Sequence, residues 1–453
     1  MIRIKGQVAD QEELAKQVLS WINCAKRPLN TLELQHALAI EVGESEFDKE
    51  NLTQIEDMVS ACAGLVTVDK ESNIIRLVHY TTQKYFERTQ NRWFPAAEED
   101  ITASCVTYLS FSTFQTGFCE SHEDFEHRLQ SYPFYDYAAH SLGHHAQRCR
   151  TLAQCVINFL ENASNVEAAS QTLFDTELDQ RRGRSRQALR QITGMHLAVY
   201  FQLDEAITAL LLKGYSPEPR DSLGQTPLSY AADGGYENGV RLMLNCDQID
   251  SDPRDNEGVT PLMLAARNGH DTIVNFLLND ERVNINSKDV GGRTPLLWAG
   301  QNGQWTTVRH LLEKGAFADS RDEFGQTLLS FAAERGCDEI VELLLSNDSV
   351  DVGTKDICNL TPLLLAIAFE RHEVVKRLLS KLAIEFTTGL SITNARQRRI
   401  IREARQLSHD LPSHILPIHV VDNNIVSHST LYESVGILIY TVPLARSNSR
   451  TSR

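Results

Sequence analysis

Through the second half of the chain, short apolar stripes recur in pairs. Ile207-Leu210-Leu211, Val240-Leu242-Leu244, Ile273-Val274-Leu277-Leu278, Val308-Leu311-Leu312, Ile340-Val341-Leu344-Leu345 and Val374-Val375-Leu378-Leu379 read as helices with one apolar face. Each follows a shorter apolar segment opened by threonine: Thr226-Pro227-Leu228, Thr260-Pro261-Leu262, Thr294-Pro295-Leu296, Thr327-Leu328-Leu329 and Thr361-Pro362-Leu363. These threonines lie 34, 34, 33 and 34 residues apart, and a weaker copy, Thr193-Gly194-Met195-His196-Leu197-Ala198, begins 33 residues before the first. Gly235, Gly269, Gly303 and Gly336 separate the two stripes, and a basic-acidic pair precedes each threonine: Arg220-Asp221, Arg254-Asp255, Lys288-Asp289, Arg321-Asp322 and Lys355-Asp356. Asp followed by Gly-x-Thr-Pro is hairpin-turn chemistry leading into a helix whose first turn accepts proline. The predicted unit is hairpin, helix, glycine turn, helix.

In period and in its Thr-Pro-Leu-x-x-Ala run this unit resembles the ankyrin repeat, over about Thr193 to Glu385. The resemblance implies an α-solenoid with β-hairpin turns, because one unit cannot cover its own apolar face and neighbours must stack. It implies binding rather than chemistry. By resemblance the turn tips Leu223, Glu257, Val290 and Phe324, and the positions after the alanine pairs, Asp233, Arg267, Gln301 and Glu334, face a groove and are the candidate contacts for a protein ligand. The plainer reading is that such positions only keep the surface soluble. Tyr230, Trp298 and Phe331 share a register where the family carries leucine, so core packing is their expected role. The family's helix histidine survives only as His196, with Ser229, Met263, Leu297, Ser330 and Leu364 elsewhere. Gln202 and Glu370 replace the expected turn glycine, which fits atypical terminal repeats.

The first third follows another pattern. Asp10 with Glu13, Asn30 with Glu33 and Asn51 with Gln54 have capping-box spacing and predict three helices. The first carries Leu14, Val18, Trp21 and Ile22; the third carries Leu52, Ile55, Met58, Val59 and Cys62 and ends at Gly64. Leu65-Val66-Thr67-Val68 and Ile74-Ile75-Arg76-Leu77-Val78-His79 flank the polar turn Lys70-Glu71-Ser72-Asn73, a hairpin signal. Three helices and a hairpin are the order of a winged helix. Residues Leu14 to Gln90, with Leu32-Glu33-Leu34, Cys62-Ala63-Gly64-Leu65-Val66 and His79-Tyr80-Thr81-Thr82-Gln83-Lys84-Tyr85-Phe86, resemble the winged helix that follows the NACHT domain in fungal NACHT-ankyrin, NLR-like proteins. A related domain carries the name of a GPI inositol-deacylase, a label that implies no activity here. The resemblance makes His79 a candidate nucleotide sensor and makes the chain the carboxy-terminal part of such a receptor, with the repeats as its sensor. A capping or packed histidine is the plainer reading, because the sequence contains no GxxxxGK[ST] phosphate loop and no Gly-Lys dipeptide. A NACHT-bearing chain would have to supply that loop in trans.

Composition narrows the remaining classes. With 42% hydrophobic and 23% charged residues the chain reads as soluble and globular. Its longest apolar stretch, Val435 to Pro443, is half the roughly 18 residues a membrane span needs. Met1 to Asp10 lacks an apolar signal-peptide core, and the 9 scattered cysteines form no CxxC pair, so reduced thiols in an intracellular protein are expected. A net charge of -16 argues against phosphate polymers and anionic lipid. Between Gln11 and Gln90 acids outnumber bases by 13 to 8, with Glu50, Glu56 and Asp57 around the third helix where a DNA reader carries cations. No GxSxG, HExxH or kinase signature occurs, so neither catalysis nor a cofactor is expected. His140, His144, His145 and Cys149 could form a metal site, but the peptidase glutamate is missing and Gly143 weakens the helix, so structural histidines are expected.

The expected organisation is mainly α: a lead over 1–13, a winged helix over 14–90, a helical extension over 91–165 that packs on the wing, a polar and basic linker over 166–191, about six ankyrin repeats over 192–385, and an unassigned tail over 386–453. The arginine clusters Arg181, Arg182, Arg184, Arg186, Arg190 and Arg396, Arg398, Arg399, Arg402, Arg405 read as solvated segments rather than nuclear import signals. The expected function is a cytoplasmic, or nuclear, scaffold in NLR-like signalling or non-self recognition. Its alternatives are an in-trans component of a nucleotide-switched NACHT complex and a chromatin or transcription cofactor using the winged helix.

Overall fold

The capping box expected at Asn30 forms. Its side chain accepts the Glu33 amide at 2.9 Å, and the Glu33 carboxylate accepts the Asn30 amide at 2.8 Å. This starts helix α2 (Thr31–Leu38) in a computed structural model that describes residue 4 and residues 6–182, 190–246 and 249–387. Arg184, Arg186, the arginines from Arg396 to Arg405 and the tail from residue 388 lie outside the described residues. The chain divides into two units, Met1–Asp250 and Ser251–Arg453, and each is described by itself.

In the first unit α1 (Ala9–Cys24) begins after Val8 with no side-chain cap, so the box expected from Asp10 and Glu13 does not form. Asp10 lies inside the first turn, where its charge still complements the helix dipole. Asn51 belongs to a short 3-10 turn, Lys49–Asn51, and α3 (Ile55–Ala61) starts after Gln54 without a side-chain cap, against expectation. Strands β1 (Val66–Val68) and β2 (Ile75–Leu77) pair antiparallel with Val66 opposite Leu77, and α4 (Tyr80–Trp93) follows. Three helices, a two-stranded wing and a closing helix are the winged-helix order.

The extension contributes α5 (Ala97–Leu109), α6 (His122–Ser131), α7 (Tyr135–Ala146) and α8 (Gln154–Glu161). It packs on α1, correcting the expectation that it rests on the wing. Trp21 of α1 meets the Phe134 ring at 5.4 Å, and the Lys26 amide donates to the Tyr137 hydroxyl at 3.0 Å. The wing instead rests on α1 and α4. The expected linker is also corrected: Ala163–Arg182 is helix α9, with Val166, Ala169, Leu173 and Phe174 buried at the spacing of one face. Polar neighbours hide that stripe in the sequence. They too are used inside, since Gln171 accepts the Cys119 amide at 2.9 Å and donates to its carbonyl at 3.1 Å.

The repeats appear as expected. The first unit holds α10 (Gly194–Tyr200), α11 (Asp204–Leu212), α12 (Pro227–Asp233) and α13 (Glu237–Leu244). The second holds α14 (Pro261–Asn268), α15 (Asp271–Leu278), α16 (Pro295–Asn302), α17 (Trp305–Glu313), α18 (Leu328–Arg335), α19 (Asp338–Leu345), α20 (Pro362–Ala368) and α21 (His372–Thr387). The threonine of every Thr-x-Leu run is an N-cap, and from Thr226 onward its side chain accepts the amide three residues on. In α13 the buried face is Val240 with Met243, three apart, and not the expected Val240-Leu242-Leu244. Gln202 and Glu370 keep the left-handed turn their glycine counterparts adopt, at φ 54° and 57°. Relieving that strain through Gln202→Gly is expected to stabilise the first unit by about 1 kcal/mol in urea melts.

Candidate functional site

Each hairpin is closed by its aspartate. The backbone amide of Asp221, Asp255, Asp289, Asp322 and Asp356 donates to the carbonyl four residues on. One carboxylate oxygen then accepts the amide of that same residue, at 2.8 Å for Gln225, 2.8 Å for Val259, 2.7 Å for Arg293, 2.7 Å for Gln326 and 2.7 Å for Leu360. Three residues after the aspartate the chain needs a positive φ, met by Gly224, Gly258, Gly292 and Gly325, and by Asn359 in the last repeat. Burial pushes the Asp322 carboxyl above its ordinary range.

This geometry sorts the candidate tips. Leu223, Glu257 and Phe324 sit two residues after their aspartates, whereas Val290 sits one residue after Asp289. Val290 therefore shares its register with Ser222, Asn256, Glu323 and Ile357, and counting back from the positive-φ residue would have shown this. Within the second unit, neighbouring hairpins are joined edge to edge: the Val290 amide donates to Glu257 O at 2.8 Å, Glu323 to Gly291 O at 2.8 Å and Ile357 to Phe324 O at 2.9 Å. That leaves three apolar tips on successive hairpins in solvent, Val290 at 78% exposed, Phe324 at 45% and Ile357 at 66%. Ile357 was missed by the sequence reading.

The helix candidates Asp233, Arg267, Gln301 and Glu334 are all half-buried. In the second unit one of them, Arg267, stands against an aromatic, Trp298. Trp298 donates its indole N–H to Asp289 Oδ2 at 3.1 Å, and Arg293 Nε donates to the same oxygen at 2.9 Å. The Arg293 guanidinium lies 4.0 Å from the Trp298 ring centre and that of Arg267 lies 5.7 Å from it. Of the three aromatics expected in the core, only Phe331 is buried. Tyr230 and Trp298 are half-buried braces whose polar atoms hold hairpin aspartates, Tyr230 through its hydroxyl to Asp221 at 3.0 Å. Arginines from the following repeat cap carbonyls at the ends of first helices: Arg335 donates to Gln301 O, and Arg371 Nε donates to Glu334 O at 2.9 Å. Cations there oppose the negative end of the helix dipole. Burial pushes the Glu334 carboxyl above its ordinary range.

Elsewhere the candidate chemistry resolves differently. His79 is neither capping nor packed: it stands exposed at the residue before α4, with no side-chain cap bond. His145 is fully buried between Glu98 Oε2 at 2.7 Å and the Tyr137 hydroxyl at 2.9 Å, while His140 bonds the Asp136 carbonyl at 3.1 Å. Cys149 Sγ donates to the His145 carbonyl at 3.4 Å. Among the described residues no group of three or more His, Cys, Asp or Glu is placed to hold a metal ion. Gly143 weakens the helix for a reason: a Cβ there would lie 2.4 Å from the Phe201 ring. Burial pushes the Cys62 thiol up to about 12 and the Cys105 thiol higher still, the opposite of an activated nucleophile. On α3 the exposed side chains include Glu56 and Asp57. Arg190 is paired with Glu120 at 2.7 Å and lies 4.6 Å from the Phe118 ring centre.

Two family models match the chain. Residues 195–289, 248–322 and 296–389 match ankyrin repeats in three copies, and residues 4–93 match the GPI inositol-deacylase winged helix domain. No curated protein matches the chain. The chain therefore carries this winged helix followed by ankyrin repeats, and the repeats support a protein–protein interaction role. Neither matched region is a catalytic domain, although the winged helix takes its name from an enzyme family. No helix among the described residues is long and apolar enough to cross a membrane.

Proposed function

We propose that the chain is a scaffold that captures a protein ligand on the hairpins and first helices of its repeats, in the cytoplasm and within NLR-like signalling or non-self recognition. Its contacts are Leu223, Asp233, Glu257, Arg267, Val290, Gln301, Phe324 and Glu334, joined by Trp298, Arg293 and Ile357. One observation carries the reading: a half-buried tryptophan flanked by two arginines, on the same repeats as a row of solvent-facing apolar tips. Tryptophan and arginine dominate the energetic centres of protein interfaces, and apolar tips in water are costly unless used. The test compares partners recovered by the full chain with those recovered by Arg267→Ala and Phe324→Ala. Each substitution is expected to weaken a specific partner about 30-fold while leaving the melting temperature within a degree or two. Partners held equally by both variants would place the interface elsewhere.

The exposed, uncapped His79 favours a second reading, in which the winged helix meets the nucleotide of a NACHT-bearing chain. A rise in melting temperature of the purified chain with ADP or ATP would establish that it binds nucleotide directly. The chromatin reading gains no support from α3, whose exposed Glu56 and Asp57 repel phosphate.

A further inference from the structure

In the second unit the spacing of the apolar tips selects the shape of what can lie across them. Each hairpin occupies two strand widths of about 4.8 Å, so tips on hairpins joined edge to edge stand about 10 Å apart. The helices behind them impose the same period: α14 packs on α16, α16 on α18 and α18 on α20, and packed helices lie about 8 to 10 Å apart. Val290, Phe324 and Ile357 are thus three exposed apolar side chains in a row, at intervals of about 10 Å. An α-helix rises about 1.5 Å per residue, so its side chains seven apart share a face and lie about 10.5 Å from each other. The drift of about 20° per heptad keeps three of them on that face. An extended strand repeats its same-face side chains at about 6.6 Å and 13 Å, and misses the interval.

A second row sets the polarity. The residues before the hairpin aspartates, Arg254, Lys288, Arg321 and Lys355, are all basic and all exposed. Lys288 and Lys355 stand two residues before Val290 and Ile357, and Arg321 stands three before Phe324. Arg254 and Lys288 are positioned by carbonyls of the next repeat, while Arg321 also lies 3.5 Å from Asp351. The acids at the tips are Glu257, half-buried, and Glu323, exposed. Four cations against two acids, on a chain of net charge -16, make this edge the complement of an acidic surface.

We propose, on the premise that the repeats capture a protein ligand, that the second unit takes an amphipathic α-helix of its partner, with one apolar residue per heptad and acidic residues beside it. Val290, Phe324 and Ile357 receive the apolar residues. Lys288, Arg321 and Lys355 face the acids.

The test measures binding of the full chain to fluorescent three-heptad peptides by anisotropy. The probe carries leucine once per heptad, glutamate on both flanks of each leucine and alanine elsewhere. One control keeps that composition with the leucines at alternate positions, and the other replaces every glutamate with lysine. The probe is expected to bind roughly tenfold more tightly than either control. Val290→Ser with Ile357→Ser is expected to weaken it roughly tenfold, while circular dichroism stays unchanged because the backbone amides that join the hairpins remain. Equal binding of the alternating control would overturn the helix, and equal binding of the lysine control would overturn the acidic partner. A probe that fails to bind, or that the doubly substituted chain holds as well, would overturn both. Partner recovery separates these failures from that of the scaffold reading. Partners lost in Phe324→Ala while the probe fails reject the helix alone, whereas partners held equally by Phe324→Ala and Arg267→Ala reject the scaffold.

Discussion

Replacing Gly194 by proline, the residue at the same position in Pro227, Pro261, Pro295 and Pro362, is expected to destabilise the first unit by about 3 kcal/mol. In the other repeats the substitution would suit the helix, because the first helical position has no intrahelical partner for its amide. At Gly194 the obstacle lies across the chain. A Cβ there would lie 1.9 Å from the carbonyl oxygen of Leu160, at the end of α8, and 2.7 Å from its carbonyl carbon. Those atoms are backbone and cannot rotate away. Relief would require α8 to lift off α10, exposing Leu160, Met195 and Leu203, all buried. Even Gly194→Ala should be costly for the same reason. In a unit of about 250 residues a loss of 3 kcal/mol lowers the melting temperature by roughly 6 to 12 °C. Differential scanning calorimetry checks this, and an unchanged transition in Gly194→Pro would show that α8 does not abut the first repeat.

Gly194 also marks the limit of what could be read in advance. The repeats were legible because each threonine does a local job, capping its own helix, and local jobs leave the same residue at the same spacing. The winged helix was legible for a similar reason, since Asn30, Glu33 and Gly64 act within a few residues of themselves. What failed depended on distant partners. Asp10 has the spacing of a cap, yet α1 starts before it, and spacing alone cannot weigh the burial of Val18, Leu19 and Trp21 that sets where that helix lies. The segment from Ala163 to Arg182 looks polar because Asn165, Ser170, Gln171 and Thr172 are buried among its apolar residues, which no hydropathy pattern anticipates.

The candidate contacts show the same division. Their membership in hairpins and first helices followed from the repeat, but the half-buried setting of Trp298 followed from Asp289 and Arg293. The expectation of a core leucine position placed that tryptophan too deep. An indole N–H needs a partner, and the hairpin aspartate nine residues earlier supplies it at the rim. The basic residue before the hairpin aspartate closes its own hairpin in one repeat, where Arg220 donates to Gly224 O at 2.9 Å, and bridges to the next repeat in others. Arg254 donates to Lys288 O at 3.0 Å, and Lys288 Nζ to Arg321 O at 3.4 Å.

Acidification from pH 7 to pH 5 is expected to weaken the first unit strongly, through two buried histidines. His196 is fully buried. Its Nε2 donates to the Gln225 carbonyl at 3.1 Å, so Nδ1 is the acceptor that receives the Thr193 amide at 3.2 Å. A second proton would have to sit on Nδ1, facing that donor, in a fully buried site. Burial accordingly lowers its pKa to about 4, with the Gln225 carbonyl opposing weakly. His36, buried against the Tyr108 hydroxyl at 2.8 Å and stacked on Phe47, is lowered to about 4 by burial and by the charge of Lys49. A histidine whose folded pKa lies below its unfolded value of about 6.5 costs nothing at pH 7. Below pH 6.5 the unfolded chain takes up the proton first, so stability falls with pH until the folded pKa near 4 is reached. For His196 alone the loss by pH 5 is about 2 kcal/mol. Urea unfolding followed by Trp21 fluorescence at pH 7, 6 and 5 measures it. His196→Gln should be less stable at pH 7, because the carboxamide fits the site imperfectly, but its stability should fall less steeply between pH 7 and pH 5. Parallel pH profiles for the two proteins would mean that His196 takes up its proton as readily folded as unfolded, and that the buried imidazole does not govern the acid response.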